Sequence, residues 1–230
     1  MAKKVDKTEE KMIAVEEALS KTEVFIEKNQ RLLTIVIGII VVAVLAFYGY
    51  KRLYVAPLEK EAQIQMFMAE KFFEIDSLNL ALYGDGNNLG FIDIINEYGI
   101  TKSGNLANYY AGICYLRQGD FDQAIDYLGD FSKNDQIIGP MAYGAMADAY
   151  LELEQPEEAV KHYMEAAKSS TNDFTTPLYL MRAGWTYEIL GEYSKALNVY
   201  TKVQHNFPRS SQSKEVEKYK ERAKFLSDQQ

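Results

Sequence analysis

The chain has 230 residues, with 25 Lys+Arg against 33 Asp+Glu and a net charge of −8. Residues 1–31 carry seven acids beside seven bases and Lys51-Arg52 adds two positive charges, which leaves about −10 on residues 53–230. Such an acidic domain lacks the clustered Lys/Arg that nucleic-acid phosphates demand and is repelled by anionic membrane surfaces; the single cysteine permits no internal disulfide.

Residues 1–31 predict a charged helical arm. Its apolar positions Val5, Met12, Val15, Leu19 and Ile26 are spaced by seven, three, four and seven residues, the outline of a coiled-coil seam. Two readings fit: a solvated lead-in to the next segment, or a contact helix for a partner.

That next segment, Leu32–Tyr50 (LLTIVIGIIVVAVLAFYGY), has no charged side chain over 19 residues. At about 1.5 Å per residue it covers roughly 28 Å, close to the hydrocarbon thickness of a bilayer. A cleaved signal peptide has a short basic leader and ends in small residues. Here the leader is long and of mixed charge, and the segment ends in bulky Phe47, Tyr48 and Tyr50, ring types that favour the membrane–water boundary. The pattern predicts a retained single-pass anchor over 32–52. The arm holds Lys3, Lys4, Lys7, Lys11, Lys21, Lys28 and Arg31, against Lys51, Arg52 and Lys60 on the other side, a bias toward a cytoplasmic N-terminus.

Beyond the anchor, Leu58–Leu82 reads as one long helix, Gly84–Asn88 (GDGNN) as a loop and Phe91–Tyr98 as a short amphipathic helix. Together, residues 53–104 predict a degenerate helical hairpin. Residues 105–208 then repeat. GDFDQAIDYL, EQPEEAVKHY and GEYSKALNVY align on Ala124, Ala159 and Ala196, at intervals of 35 and 37 residues. Thirteen positions before each alanine a pair ending in a small residue begins (Ala111-Gly112, Met146-Ala147, Ala183-Gly184). Tyr115, Tyr150 and Tyr187 lie nine before, Leu128, Tyr163 and Tyr200 four after, and Pro208 closes the last unit. Small residues let paired helices approach, and the large ones fill the groove between them. Ser210–Leu226, within 209–230, shows a charged helix with Val216, Tyr219, Ala223 and Leu226 on one face, the solvating cap that a repeat array needs.

No catalytic constellation emerges. His162 and His205 have no second ligand at metal spacing. Glu157-Glu158 suits a helix start, and no Gly-Lys-Ser/Thr follows Gly84-Asp85-Gly86 to make a phosphate loop. Cys114, between Ile113 and Tyr115, reads as core filler. The expectation is a non-enzymatic protein with no cofactor, no metal and no small-molecule substrate.

The repeated residues resemble the tetratricopeptide repeat, whose period is about 34 residues. Departures are Asn108, Tyr143 and Leu180 where a tryptophan is usual, Gln136 and Thr171 where a proline closes the unit, and Phe131 and Val203 at a late small position. The resemblance implies an all-α chain: one N-terminal transmembrane helix, then an α-solenoid of one degenerate and three clear repeats with a capping helix. It also implies a binding face on the first helix of each hairpin. Carried onto this chain, that face collects Leu106, Tyr109, Ile113, Leu116 and Arg117, then Met141, Asp148, Leu151 and Glu152, then Leu178, Met181, Trp185, Glu188 and Ile189. The layout is similar to the YfgM-type ancillary subunits of the Sec translocon, on the anchor and on NYYAGICYLRQGDFDQAIDYL. That likeness implies a bacterial inner-membrane protein with a cytoplasmic N-terminus and a periplasmic repeat domain. Its partners would be the SecYEG translocon and periplasmic chaperones. The alternative is a structural scaffold in another envelope complex, of secretion or division.

Overall fold

A computed structural model describes the backbone of residues 7–230 and the side chains of residues 25–230. The chain divides into two units, Met1–Ala56 and Pro57–Gln230. The first is a single helix, α1 (Lys7–Tyr50), followed by a π-helical turn at Lys51–Val55. None of its described side chains is buried. It is long and apolar enough to cross a membrane. The side chains of the expected seam residues Met12, Val15 and Leu19, and all of Val5, lie outside the described residues; Ile26 is exposed.

The second unit is helical throughout. Its first helix, α2 (Ala56–Glu74), is shorter than the sequence pattern suggests. The chain turns at Ile75–Ser77, where Asp76 adopts a left-handed φ of 59°, and resumes as α3 (Leu78–Tyr83). The apolar spacing continues across the break, so periodicity alone merges the two. The loop after α3 is held by Asp85, whose carboxylate accepts from the backbone N–H of Asn87 (2.9 Å) and Asn88 (2.8 Å). Then comes α4 (Phe91–Tyr98).

Three hairpins follow: α5 (Lys102–Gln118) with α6 (Phe121–Asp130), α7 (Ile138–Glu152) with α8 (Pro156–Ser169), and α9 (Thr175–Ile189) with α10 (Tyr193–Asn206). Each tight turn places one residue in the left-handed region: Gly119, Glu154 and Gly191. Glycine takes this conformation freely, whereas Glu154 bears a steric cost of roughly 1–2 kcal/mol. Pro156 opens α8 at its first position, where the missing N–H loses no helical bond. Capping oxygens start the first helices. Thr101 accepts from Gly104 N–H (3.0 Å), and the Glu59 carboxylate reaches across from α2 to the N–H of Lys102 (2.7 Å) and Ser103 (3.2 Å). Asp135 and Asn172 each accept from two backbone N–H groups entering α7 and α9.

The core repeats with the sequence. Ala124, Ala159 and Ala196 are fully buried, as are Ala111, Ala147 and Ala183 opposite them. Leu128, Tyr163 and Tyr200 are buried in the grooves beside them. Small residues are required there. A Cβ on Gly112 would sit 2.5 Å from Leu128 Cγ, and one on Gly184 would overlap the Tyr200 ring. The last helix, α11 (Ser211–Ser227), closes the array with Val216 and Ala223 buried and its outer side charged.

Candidate protein-binding groove

The first helices of successive hairpins present one face each. On α5 it runs through Leu106, Tyr109, Ile113 and Arg117; on α7 through Met141, Asp148, Leu151 and Glu152; on α9 through Leu178, Met181, Trp185 and Glu188. Apart from the adjacent Leu151 and Glu152, these spacings of three, four or seven keep one side of a helix. Clefts open between neighbouring first helices. One, about 600 Å³, lies between α5 and α7, with Leu116, Arg117, Phe121, Asp148, Leu151 and Glu152 in its walls. A second, about 290 Å³, lies between α2 and α5 over Met66 and Leu106, with Glu70 and Lys102 at its rim. A third, about 160 Å³, lies between α9 and α11, walled by Leu178, Met181, Trp185 and Glu215.

The expected contact residues divide by what they touch. Arg117 and Glu152 are exposed in the α5–α7 cleft. The Arg117 guanidinium lies 4.6 Å from the centre of the Phe73 ring and 3.5 Å from Asp76. Trp185 is 39% exposed, edge-on to Tyr219 of α11 at 5.6 Å. Leu106 is half-buried in the second cleft, and Ile113 is half-buried against Leu128 and Met146 in the core between α5, α6 and α7. Tyr109 is turned inward, its ring 5.7 Å from that of Phe131, where the larger residue replacing the usual small one gives it a partner. Burial pushes its phenol pKa up. Met181 is buried, at 2% exposure, in the core that α9 shares with its neighbours.

The two acids have internal partners. Asp148 accepts from the Tyr163 hydroxyl on α8 and from the Arg182 guanidinium on α9, the latter at 2.6 Å to its second oxygen. Burial works against the charged guanidinium, but the bonds to Asp148 outweigh it and raise the Arg182 pKa. Glu188 repeats the arrangement one hairpin on. It accepts from the Tyr200 hydroxyl at 2.7 Å and pairs with Arg222 of α11 at 2.6 Å. In each case a carboxylate on a first helix is held by a tyrosine from its own hairpin and an arginine from the next element. These two residues therefore tie repeats together, and the groove keeps their apolar neighbours. Sequence reasoning missed Arg182 and Arg222, whose partners lie 34 residues away in both cases.

In the α2–α5 cleft, burial and the nearby Glu74 raise the pKa of Glu70, whereas Glu59 is held low by its backbone and hydroxyl donors despite burial working the other way. Among the described residues no three His, Cys, Asp or Glu side chains group to hold a metal ion. The arrangement offers shallow apolar floors rimmed by single charges, the chemistry of peptide or helix contact.

Models of the tetratricopeptide repeat match residues 106–135, 142–173 and 179–210, the three hairpins. No curated protein matches the chain. Among solved structures, the crystal structure of MamA protein is similar at 18% identity, over 73% of this chain and 88% of that one, with a TM-score of 0.49. The molecule is all-helical among its described residues: an N-terminal apolar helix, then tetratricopeptide-type repeats, a fold whose general role is protein–protein interaction.

Proposed function

We propose that this chain is a single-pass membrane protein whose repeat domain holds segments of other proteins along the face of its first helices. The observation that carries the reading is the row of clefts between those helices. Their walls combine accessible apolar surface at Leu116, Leu151 and Trp185 with the exposed charges Arg117 and Glu152. Aromatic and arginine side chains in such recesses supply much of the affinity at protein interfaces. The charge bias around α1 favours a cytoplasmic arm and a repeat domain outside the cytoplasm.

The more specific reading is a YfgM-like component beside the Sec translocon, assisting the handling of newly translocated proteins. It is supported by the layout: one apolar helix near the N-terminus, then a solenoid with net negative charge. The experiment is a crosslinked affinity isolation of the full chain from membranes. Recovery of translocon subunits, lost on Trp185→Ala with Glu152→Lys, is the expected result. Exclusive recovery of a secretion or division machine would replace the translocon assignment. Unchanged recovery with the double variant, at an unchanged melting temperature, would move binding away from the clefts.

A further inference from the structure

We infer that the edge of the solenoid from which Ile100, Ile137 and Phe174 project is a contact surface for zwitterionic lipid of the bilayer that anchors the chain. The inference rests on the reading of Leu32–Tyr50 as a membrane span. Each of the three residues stands just before a first helix: Ile100 before α5, Ile137 before α7 and Phe174 before α9, at intervals of 37 residues. They are 56%, 43% and 70% exposed. An apolar residue at a helix entrance often packs on the first turn, which would bury it. These three point outward instead.

Hydrogen bonds join their turns into one edge. The Asn105 side chain, near the start of α5, accepts from the Ser132 N–H (2.8 Å), and the Asn172 side chain donates to the Gln136 carbonyl (3.4 Å). The two edges of the array differ in charge. Here residues 99–101, 131–137 and 170–174 contain only Lys133, Asp135 and Asp173 as charged groups. Lys133 donates to the carbonyls of Gly129 and Phe131, and Asp135 accepts from the N–H groups of Ile137 and Ile138, so two of the three are held by backbone partners. At the opposite edge each tight turn carries an acid, Asp120, Glu154 or Glu192, and the turn leucines Leu153 and Leu190 are half-buried.

Chain continuity selects the bilayer as the occupant. The Glu59 carboxylate accepts from the N–H groups of Lys102 and Ser103, which puts the start of α2 at the apolar edge. Glu59 follows Tyr50, the end of the span, by nine residues. Fully extended, that stretch covers at most about 30 Å, so this edge is the one tethered to the membrane boundary. The 17 residues of α5 set the opposite edge roughly 25 Å further from the tether. The negative charge of the domain opposes capture by anionic headgroups. A charge-poor edge with projecting apolar tips fits the boundary between zwitterionic headgroups and acyl chains, where aromatic rings are also favoured.

The test is fluorescence quenching by lipid. The full chain, carrying Cys114→Ala and one new fluorophore-labelled cysteine, is reconstituted into phosphatidylcholine vesicles in which some lipids bear a nitroxide near the top of the acyl chain. Phe174→Cys and Ile137→Cys are read against Gln155→Cys in the α7–α8 turn. All three positions are exposed, so the variants keep the helical spectrum of the parent. Docked apolar groups enter about 5–10 Å into the boundary, so quenching at Phe174 and Ile137 is expected to exceed that at Gln155 roughly threefold. Equal quenching at the three positions, or none at Phe174, would overturn the lipid contact. A Phe174 probe that lipid leaves unquenched, yet is shielded from iodide in native membranes, would put a protein on this edge and overturn it equally. Alkaline extraction of the vesicles separates this inference from the reading it rests on. A chain released by alkali refutes the span itself, whereas a retained chain with equal quenching refutes the edge contact alone.

Discussion

Gly184 and Gly129 take the same substitution in opposite directions. Gly184 lies on α9 where a Cβ would overlap three atoms of the Tyr200 ring. That ring is fully buried, tilted against Tyr219 at 5.9 Å, and anchored by its hydroxyl on Glu188, so it has no free direction to yield. Forcing one extra carbon into a filled core costs about 1–3 kcal/mol. The change also removes a helical glycine, which returns about 0.8–1 kcal/mol. The net for Gly184→Ala is a loss of about 0–2 kcal/mol, or up to roughly 8 °C in melting temperature for a domain of this size. Gly129 on α6 has nothing within 4 Å of its Cβ position, so Gly129→Ala keeps only the helical gain and leaves the melt level or slightly raised. Circular dichroism melts of a fragment covering Pro57–Gln230 read both. Equal shifts for the two variants would refute the account of why the repeats need small residues where they have them.

Asp148→Ala removes a carboxylate that joins α7, α8 and α9 and strands Arg182; since both side chains are about a third exposed, a loss of about 1–2 kcal/mol is expected. A double-mutant cycle in urea with Arg182→Ala should show the two changes to be less than additive, and strict additivity would contradict the pairing. Cys114 should resist maleimide at pH 8 in the folded chain and react once in denaturant, because burial is what lifts its thiol to about 12. Fast labelling of the native protein would mean that α5 is open. His162 stacks on Tyr150 at 5.0 Å, its Nδ1 buried without a partner, and burial lowers its pKa despite Glu158 and Glu165 nearby; Lys133 and Lys161 also favour the neutral ring. A folded pKa below the unfolded value of about 6.5 means that its stabilising contribution is complete above that pH and fades as pH falls below it. Between pH 7.5 and 5 the parent chain should therefore lose more melting temperature than His162→Phe, and parallel losses would refute the assignment.

The repeats were legible because packing repeats with them. Ala124, Ala159 and Ala196 sit where two helices touch, a constraint that only small residues meet, so the contact prints itself on the sequence at each turn of the array. The break at Ile75–Ser77 left no such print. Asp76 adopts its left-handed φ without a glycine, and the apolar spacing of α2 runs on into α3. The groove was half legible. Helical spacing groups the expected residues on one side of each first helix, and Arg117, Glu152 and Trp185 are exposed there. Whether a position on a face meets solvent or a neighbour depends on elements far away in sequence. Tyr109 meets Phe131, Glu188 meets Tyr200 and Arg222, and Met181 is buried in a shared core. Pairs 34 residues apart cannot be read from local pattern, although their near-repeat distance suggests where to look.

A photo-crosslinking side chain at Glu152, in the wall of the α5–α7 cleft, measures the central claim most directly. The control is the same group at Lys202, an exposed position on the second helix α10. In membranes holding the full chain, Glu152 should give discrete adducts with other proteins and Lys202 few or none. Adducts of equal yield at both positions, or at Lys202 alone, would contradict binding along the first-helix face.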